Sequence, residues 1–112
     1  MGGMMLFHYL FRLLAAHAIS DYVLQPEFMA RWKHPKAQVP PGAGKWWWWM
    51  TAHALVNGGL VAWVTYDDML GLFETVLHWG TDYAKCQGWI SAERDQLIHL
   101  GSKVAWALLA CW

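Results

Sequence analysis

The feature that most constrains this chain is a histidine followed four residues later by an aspartate, which occurs twice inside apolar segments. The first copy is His17 and Asp21, and the second is His78 and Asp82. Side chains four residues apart lie one turn apart on the same face of a helix. Each copy therefore predicts a helix that presents a histidine and a carboxylate in one direction, toward the interior of the fold.

A further histidine lies in the apolar segment that follows each copy: His53 follows the first, and His99 follows the second. No segment alternates between polar and apolar residues over the length of a strand. We therefore expect an all-α fold, a four-helix up-down-up-down transmembrane bundle built from two helical hairpins, in one domain over residues 1–112. The expected helices cover about 3–24, 46–66, 69–85 and 93–110, with a basic connector over 27–45.

Composition and loop charge together suggest a membrane location. Hydrophobic residues make up 57% of the chain and charged residues only 14%, against a usual charged share of about 25%. Tryptophan concentrates at membrane–water interfaces, and a run of four, Trp46 to Trp49, opens the second helix. Lysine and arginine cluster in the two connectors at one end of the bundle, which is the positive-inside pattern. These features predict a multi-pass protein of the cytoplasmic (inner) membrane of a bacterium or phage-infected host, in contact with the lipid bilayer and with both termini outside.

In such a bundle the histidines and aspartates of all four helices lie at one depth, where they form a candidate metal layer. Imidazole nitrogen and carboxylate oxygen are zinc-type ligands, and helix bundles build metal sites from facing helices. The candidate ligands are His17, Asp21, His53, His78, Asp82 and His99. These two sets could hold one divalent metal, with the remaining side chains around it, or two metals, and the many histidines favour zinc. The candidate groups that orient these ligands are Gln25, Asn57, Glu74, Asp95, Gln96 and Lys103. The alternative is a hydrogen-bonded network or a proton relay without a metal.

Three further expectations concern side chains around this layer. Glu74 and Lys103 each lie one turn deeper than the histidine of their own helix, so we expect them to meet, with Asn57 joining them. Asp95 is open to three interpretations: a ligand, a charge in the first turn of its helix, or a partner of Lys85. Cys86 and Cys111 lie at opposite ends of the bundle and are expected to remain unbonded, because bridged Cα atoms lie within about 7 Å.

Four motifs follow one another along almost the whole chain: the His-x3-Asp-x3-Gln stretch within 17–33, the lone His53, the His-x3-Asp-x2-Lys stretch of 78–85, and Asp-Gln-x2-His at 95–99. In this order they resemble a family of small bacterial and phage membrane proteins that is catalogued as a domain of unknown function. More distantly, the pattern is similar to membrane-bound metal-dependent hydrolases. The resemblance implies the helical membrane fold and the polar layer.

Two main hypotheses of function follow. In the first, the layer is the zinc site of a hydrolase, in which zinc lowers the pKa of a bound water to about 7. Asp21 and Asp82 are then the candidate catalytic carboxylates, acting on an amphiphilic substrate near the cytoplasmic interface. In the second, the chain is a non-catalytic membrane subunit or phage accessory protein whose layer is structural, and the Trp-rich face binds a partner or a second copy. An ion or proton path along the histidines is a third hypothesis. Zero net charge and the lack of a basic run argue against nucleic acid as a partner.

Overall fold

The computed structural model describes residues 2–112, and within that range the regular structure is entirely helical. The helices are α1 (Gly2–Ala18), α2 (Glu27–Trp32), α3 (Trp46–Thr65), α4 (Asp68–Cys86) and α5 (Ala92–Cys111), and a π-helical segment, Ile19–Val23, continues α1. The all-α prediction is confirmed. The bounds of α3, α4 and α5 lie within one residue of the predicted ranges.

The ends of the long helices follow from local side chains. Tyr66 adopts the left-handed conformation, with φ 57°, and so ends α3. The Asp67 carboxylate then accepts hydrogen bonds from two amides of the first turn of α4, which caps that helix. Gly88, with φ 78°, follows the end of α4, where a residue without Cβ takes this conformation without strain. Ser91 caps α5 through the amide of Arg94, as its position before the helix predicts.

The closest helix pair is α3 and α4, which the sequence had divided between two hairpins. Gly58 and Gly71 face each other across this pair. A Cβ at Gly58 would lie 2.5 Å from the Gly71 carbonyl oxygen, and a Cβ at Gly71 would lie 2.7 Å from that of Gly58. Because both positions lack a side chain, the two backbones approach each other and bring His53 of α3 against His78 of α4. α1 packs against both α3 and α5.

The π-helical segment Ile19–Val23 directs its polar residues inward. Its wider turn is closed by a hydrogen bond from the Leu24 amide to the Ile19 carbonyl oxygen, 2.7 Å long. A π turn inserts an extra residue, so the residues after it are rotated relative to a continuous α-helix. Ser20 and Asp21 are buried, whereas Tyr22 and Val23 are exposed. The segment therefore supplies one carboxylate and one hydroxyl to the interior.

The interior is divided into an apolar part and a polar part. The apolar cluster consists of Leu13, Val61, Leu70 and Ala107, one residue from each long helix. Toward the connector between α2 and α3, buried histidines and carboxylates take the place of apolar side chains. The candidate functional residues thus occupy one end of the bundle interior.

None of the helices within residues 2–112 has the combination of length and apolar character that crossing a membrane requires. The predicted transmembrane architecture and the predicted multi-pass inner-membrane location, with both termini outside, are therefore wrong. The physical reason lies in the helices themselves. The α-helical part of α1 has only 17 residues, and α4 and α5 carry acidic and basic side chains along their lengths. Tryptophan, histidine and asparagine make α3 less apolar than an aliphatic helix of the same length.

The tryptophan run is divided between internal contacts and the surface. Trp46 packs against Trp79 of α4, with ring centroids 6.2 Å apart, and Trp49 packs against Trp32 at 5.3 Å. Trp47 and Trp48 are exposed and stack on each other at 4.6 Å. Two members of the run therefore hold α2 and α4 against the start of α3, whereas the sequence interpretation assigned the run to an interface.

Candidate metal centre

Four side-chain atoms from three helical elements converge in the polar part of the interior. His53 Nε2 of α3 lies 3.1 Å from Asp21 Oδ1, 3.1 Å from His78 Nε2 and 3.4 Å from Asp82 Oδ2. His78 Nε2 lies 3.4 Å from Asp21 Oδ1 and 3.5 Å from Asp82 Oδ2. None of the four residues is more than 8% exposed. We call them the first ligand group.

These five spacings are close to the edge length of a small coordination tetrahedron, and Asp21, His53 and His78 form a group whose ligand atoms all lie within 4.8 Å of one another. Ligand atoms that lie about 2.0–2.1 Å from a zinc ion are separated from one another by about 3.3–3.4 Å. Within the described residues, the buried atoms Asp21 Oδ1 and His53 Nδ1 have no hydrogen-bond partner, and a buried acceptor left without one is costly. Buried His and Asp groups of this kind could hold a metal ion, and the chemistry of the donor set fits one.

His78 is oriented for this role by a carboxylate of its own helix. Its Nδ1 lies 3.0 Å from Glu74 Oε2, so the Nδ1–H group can donate a hydrogen bond to the carboxylate. In this tautomer Nε2 has a free lone pair. Histidines that bind metals usually donate their other ring N–H to a carboxylate or carbonyl, which fixes the tautomer and increases ligand basicity. The Glu74–His78 pair therefore has the arrangement of a metal ligand and its orienting partner.

Glu74 is itself held by three donors from α5. Its Oε1 accepts from Lys103 Nζ at 2.8 Å, from Trp106 Nε1 at 2.9 Å and from Ser102 Oγ at 3.3 Å. The predicted meeting of Glu74 and Lys103 is confirmed. Glu74, His78 and His99 also lie within ligand distance of one another. Because Glu74 already has four partners, we assign it to orienting His78 rather than to binding a metal.

Asn57 does not join Glu74 and Lys103, so this part of the prediction is wrong. Its Oδ1 accepts a hydrogen bond from Ser20 Oγ at 2.6 Å, and its Nδ2 donates to the His53 carbonyl oxygen at 3.0 Å. The π-helical segment turns Ser20 inward and so gives the amide a neutral partner. Asn57 therefore connects α3 to the π-helical segment, one turn along α3 from His53.

Sequence reasoning missed Lys33, which it assigned to the basic connector. This lysine is only 3% exposed, and its Nζ donates to Asp82 Oδ2 at 2.7 Å. It directly follows α2 and lies one turn after Met29, which is half-buried. The signal that could have found it is this spacing, because residues four apart on a short amphipathic helix share its inward face. Lys33 supplies a buried positive charge beside the first ligand group.

A second ligand group shares Asp82 with the first. His99 Nε2 lies 3.3 Å from Asp82 Oδ1 and 3.2 Å from Asp95 Oδ1, and the three atoms lie within 4.8 Å of one another. The other oxygen of Asp95 lies 3.4 Å from Lys85 Nζ and 3.3 Å from Gln96 Nε2. Asp95 therefore combines two of the roles left open by the sequence, since it faces a candidate ligand histidine and also pairs with a lysine.

His17 lies beside the first ligand group rather than within it. Its Nε2 is 3.0 Å from Gln96 Oε1, and Gln96 Nε2 donates to Asp21 Oδ2 at 3.2 Å. The Gln25 amide donates to the Asp21 main-chain carbonyl at 3.0 Å. His17 Nε2 also lies 3.5 Å from Asp21 Oδ2, the oxygen that is not part of the first ligand group, and both glutamines bond Asp21. The predicted ligand His17 has the position of an orienting group, while the other five predicted ligands lie in the two groups.

The pKa values of the four buried histidines divide into two classes. Burial lowers the pKa of both His17 and His53. Burial also acts to lower the pKa of His78, but close contacts with three carboxylates outweigh it and raise that pKa to about 10. Close contacts with Asp82 and Asp95 likewise outweigh the burial of His99 and raise its pKa. In the absence of a metal, His78 therefore remains protonated at neutral pH.

The carboxylates shift in the opposite direction. Burial acts to raise the pKa of Asp21 and of Asp82, but close contacts with histidines outweigh it and hold both well below their usual range. For Glu74, burial is likewise outweighed, first by the hydrogen bond with His78 and then by Lys103, so its pKa falls to about 2. All three carboxylates are ionised at neutral pH, which is the state that binds cations.

Comparisons of the chain with models of known protein families, with curated proteins and with solved structures found no match. The resemblance noted from the sequence motifs remains an expectation.

Proposed function

We propose that this protein binds one divalent cation of the zinc type in the first ligand group, and that the cation joins the π-helical segment, α3 and α4. The four donors would be the Nε2 atoms of His53 and His78 together with one carboxylate oxygen each from Asp21 and Asp82. Two imidazoles and two carboxylates in a tetrahedral arrangement suit zinc better than the octahedral oxygen sites of magnesium or calcium.

The observation that carries this proposal is the set of five distances, 3.1–3.5 Å, among these four buried atoms. Four donor atoms from three helical elements would not be expected to converge on so small a volume by chance. A buried carboxylate also needs a counter-charge. The cation would supply it and would at the same time give Asp21 Oδ1 the partner that it lacks.

The buried charges support a cation of charge two. Asp21, Asp82 and Asp95 bring three negative charges into the layer, and Lys33 returns one positive charge at 2.7 Å from Asp82. A divalent ion would balance the remaining two. Lys85 also pairs with Asp95, but its side chain is 31% exposed and water screens it. Without a metal, the same balance would require protons on two histidines.

The closed coordination favours a structural role for the ion. Sites with four protein ligands are typically structural, whereas catalytic zinc sites keep one position for water or substrate. In the first ligand group Asp21 and Asp82 would serve as ligands, which leaves neither as a free general base. The first ligand group alone therefore supports the non-catalytic hypothesis over hydrolysis. Because such a site is assembled only in the folded chain, binding free energy would add directly to folding stability.

The test is metal analysis of the full chain together with thermal unfolding in zinc and in chelator. We expect about one tightly held zinc ion per chain and a lower Tm in chelator. The His53→Ala variant should lose the ion and the chelator effect. His8→Ala is the matched control, because His8 is exposed and lies far along α1 from the layer. A protein that binds no zinc, and whose Tm is the same in both buffers, would contradict the proposal.

A second candidate is a metal-free polar network that holds the helices together through hydrogen bonds between the buried side chains. The observation that favours it is the 3.1 Å contact between His53 Nε2 and His78 Nε2, which one shared proton would make a hydrogen bond. The two candidates differ in proton release. Zinc binding at pH 7 would displace the Nε2 proton of His78, and calorimetry in buffers of different ionisation enthalpy would detect this release. A network without a metal site gives no zinc-dependent heat.

A further inference from the structure

We propose that the second ligand group, formed by Asp82, Asp95 and His99, is a second divalent-cation position, and that the Asp82 carboxylate bridges it to the first. This inference rests on the proposed function, because it extends the same centre from one cation to two. It adds three features: a bridging ligand, a coordination position not taken by protein, and an order of filling.

The first argument is an unsatisfied carboxylate. His99 Nε2 can donate only one proton, and the hydrogen bond goes to Asp82 Oδ1 at 3.3 Å. Asp95 Oδ1 lies just as close to the same nitrogen, at 3.2 Å, yet it is fully buried and has no hydrogen-bond partner among the described residues. A single cation between the three atoms would satisfy both oxygens and the nitrogen at once.

The second argument is the direction of the two Asp82 oxygens. Oδ2 lies 3.4 Å from His53 Nε2 and 3.5 Å from His78 Nε2 in the first ligand group. Oδ1 lies 3.3 Å from His99 Nε2 in the second. One carboxylate therefore contributes a different oxygen to each group. Cations bridged in this way lie about 3.5–4 Å apart in two-metal sites.

The third argument concerns the number of ligands. The second group offers three protein atoms, which is the number that leaves a tetrahedral ion one position for water. Asp95 Oδ2 is not needed as a ligand, because it is already paired with Lys85 and Gln96. The half-buried side chains of Lys85 and Gln96 also mark the nearest surface, and hence the route by which a cation would arrive. The second position is therefore open, whereas the first is closed.

Lys33 sets the order of filling. Its ammonium lies 2.7 Å from the bridging carboxylate and balances the charge of the layer when one divalent ion is bound. A second divalent ion would bind against this positive charge, so we expect it to bind more weakly than the first. Removal of the lysine charge in Lys33→Met should tighten the second step by at least about tenfold, because charges within this distance interact strongly in a buried site.

The experiment is a titration of the metal-free full chain with Zn²⁺, and separately with Co²⁺ as a spectroscopic probe. We expect two binding steps in the parent protein, the second weaker than the first. Asp95→Asn should lose only the second step, and its matched control Glu93→Gln, an exposed acid in the same first turn of α5, should keep both. In Lys33→Met both steps should be present with the second tightened.

The outcomes separate the two proposals. One equivalent of zinc in the parent, in Asp95→Asn and in Lys33→Met would overturn the second position and leave the first intact. No zinc in the parent would overturn the proposed function itself. If Asp95→Asn does not fold, Lys33→Met decides the matter, because it keeps every ligand, and a single step in that variant would overturn the second position.

Discussion

The two copies of the histidine–aspartate motif are alike in sequence and differ in what lies one turn before the histidine. In α1 that position is Leu13, a member of the apolar cluster, and in α4 it is Glu74. His78 is therefore anchored through Nδ1, whereas the Nδ1 of His17 is buried without a hydrogen-bond partner. The pKa of His78 is raised and that of His17 is lowered. The motif alone does not define a candidate ligand; the residue one turn deeper determines whether its histidine is oriented for that role.

The same contrast holds for the other two histidines. One turn after His53 lies Asn57, which pairs with the neutral Ser20. One turn after His99 lies Lys103, which pairs with the Glu74 carboxylate. One turn from its histidines, the first half of the chain thus supplies neutral groups, and the second half supplies a buried ion pair. Removing residues at equivalent positions of the two halves should therefore have unequal effects.

The largest difference is expected between His78→Ala and His17→Ala. The first removes a proposed ligand and should weaken zinc binding by more than about 100-fold, because loss of an orienting partner alone typically costs about 10–100-fold. The second removes a group that bonds Gln96 and lies 3.5 Å from Asp21 Oδ2, which is not a proposed ligand atom, and it should weaken binding by at most about tenfold. Competition with a chromophoric chelator would measure both affinities. Equal losses in the two variants would contradict the distinction between the copies.

The next effect is that of Glu74→Gln. It removes the carboxylate that orients His78, and we expect zinc affinity to fall by about 10–100-fold. It also leaves the Lys103 ammonium buried without its ion-pair partner, which should destabilise the fold by about 3–5 kcal/mol. Zinc affinity and urea unfolding would be measured in parallel.

The double variant Glu74→Gln with Lys103→Met separates these two effects. Removal of the unpaired charge should recover much of the stability, since an apolar replacement of a buried ion pair is often neutral. Zinc affinity should stay low, because the orienting carboxylate is still absent. If affinity recovered together with stability, Glu74 would act only as a partner for the lysine.

The helices and the polar layer could be predicted from the sequence because both follow from short-range spacing. The period of the apolar residues fixes the helix ranges, and the four-residue spacing fixes which polar side chains share a face. Antiparallel packing then places Glu74 opposite Lys103. These relations need no knowledge of the backbone beyond a regular helix.

The parts of the candidate site that could not be predicted depend on features outside regular α-helices. The π-helical segment Ile19–Val23 turns Ser20 inward and redirects Asn57, and the short helix α2 brings Lys33 back into the interior. The transmembrane prediction failed because it weighed overall composition and loop charge more heavily than the polar residues of each helix. The free state of Cys86 and Cys111 was predicted correctly.

The dependence of stability on pH should distinguish the metal-free and zinc-bound forms. The folded pKa of His78, about 10, lies above its ordinary value of 6.5. The stability that this group contributes is therefore fully present below pH 6.5 and is lost as the pH rises toward 10. In chelator, the free energy of unfolding should fall across this range. In zinc the trend should oppose it, because bound imidazole must be deprotonated. Urea unfolding at pH 6, 7.5 and 9 would test both, with His78→Gln as the variant in which the fall shrinks.

The smallest expected effect is that of Asn57→Ala, which tests the neutral half of the comparison. Asn57 is buried and bonds both Ser20 and the His53 carbonyl oxygen. Ser20 Oγ also lies 3.1 Å from the His17 carbonyl oxygen, so the hydroxyl keeps an acceptor when the amide is removed. We therefore expect a loss of about 1–2 kcal/mol in the free energy of unfolding, and a change in zinc affinity of less than about threefold. Ser20→Ala and the double variant complete a cycle whose coupling energy should be about 0.5–1.5 kcal/mol. A tenfold fall in zinc affinity would instead show that Asn57 holds the His53 ring in place for the metal, and the two halves of the chain would then support the layer equally.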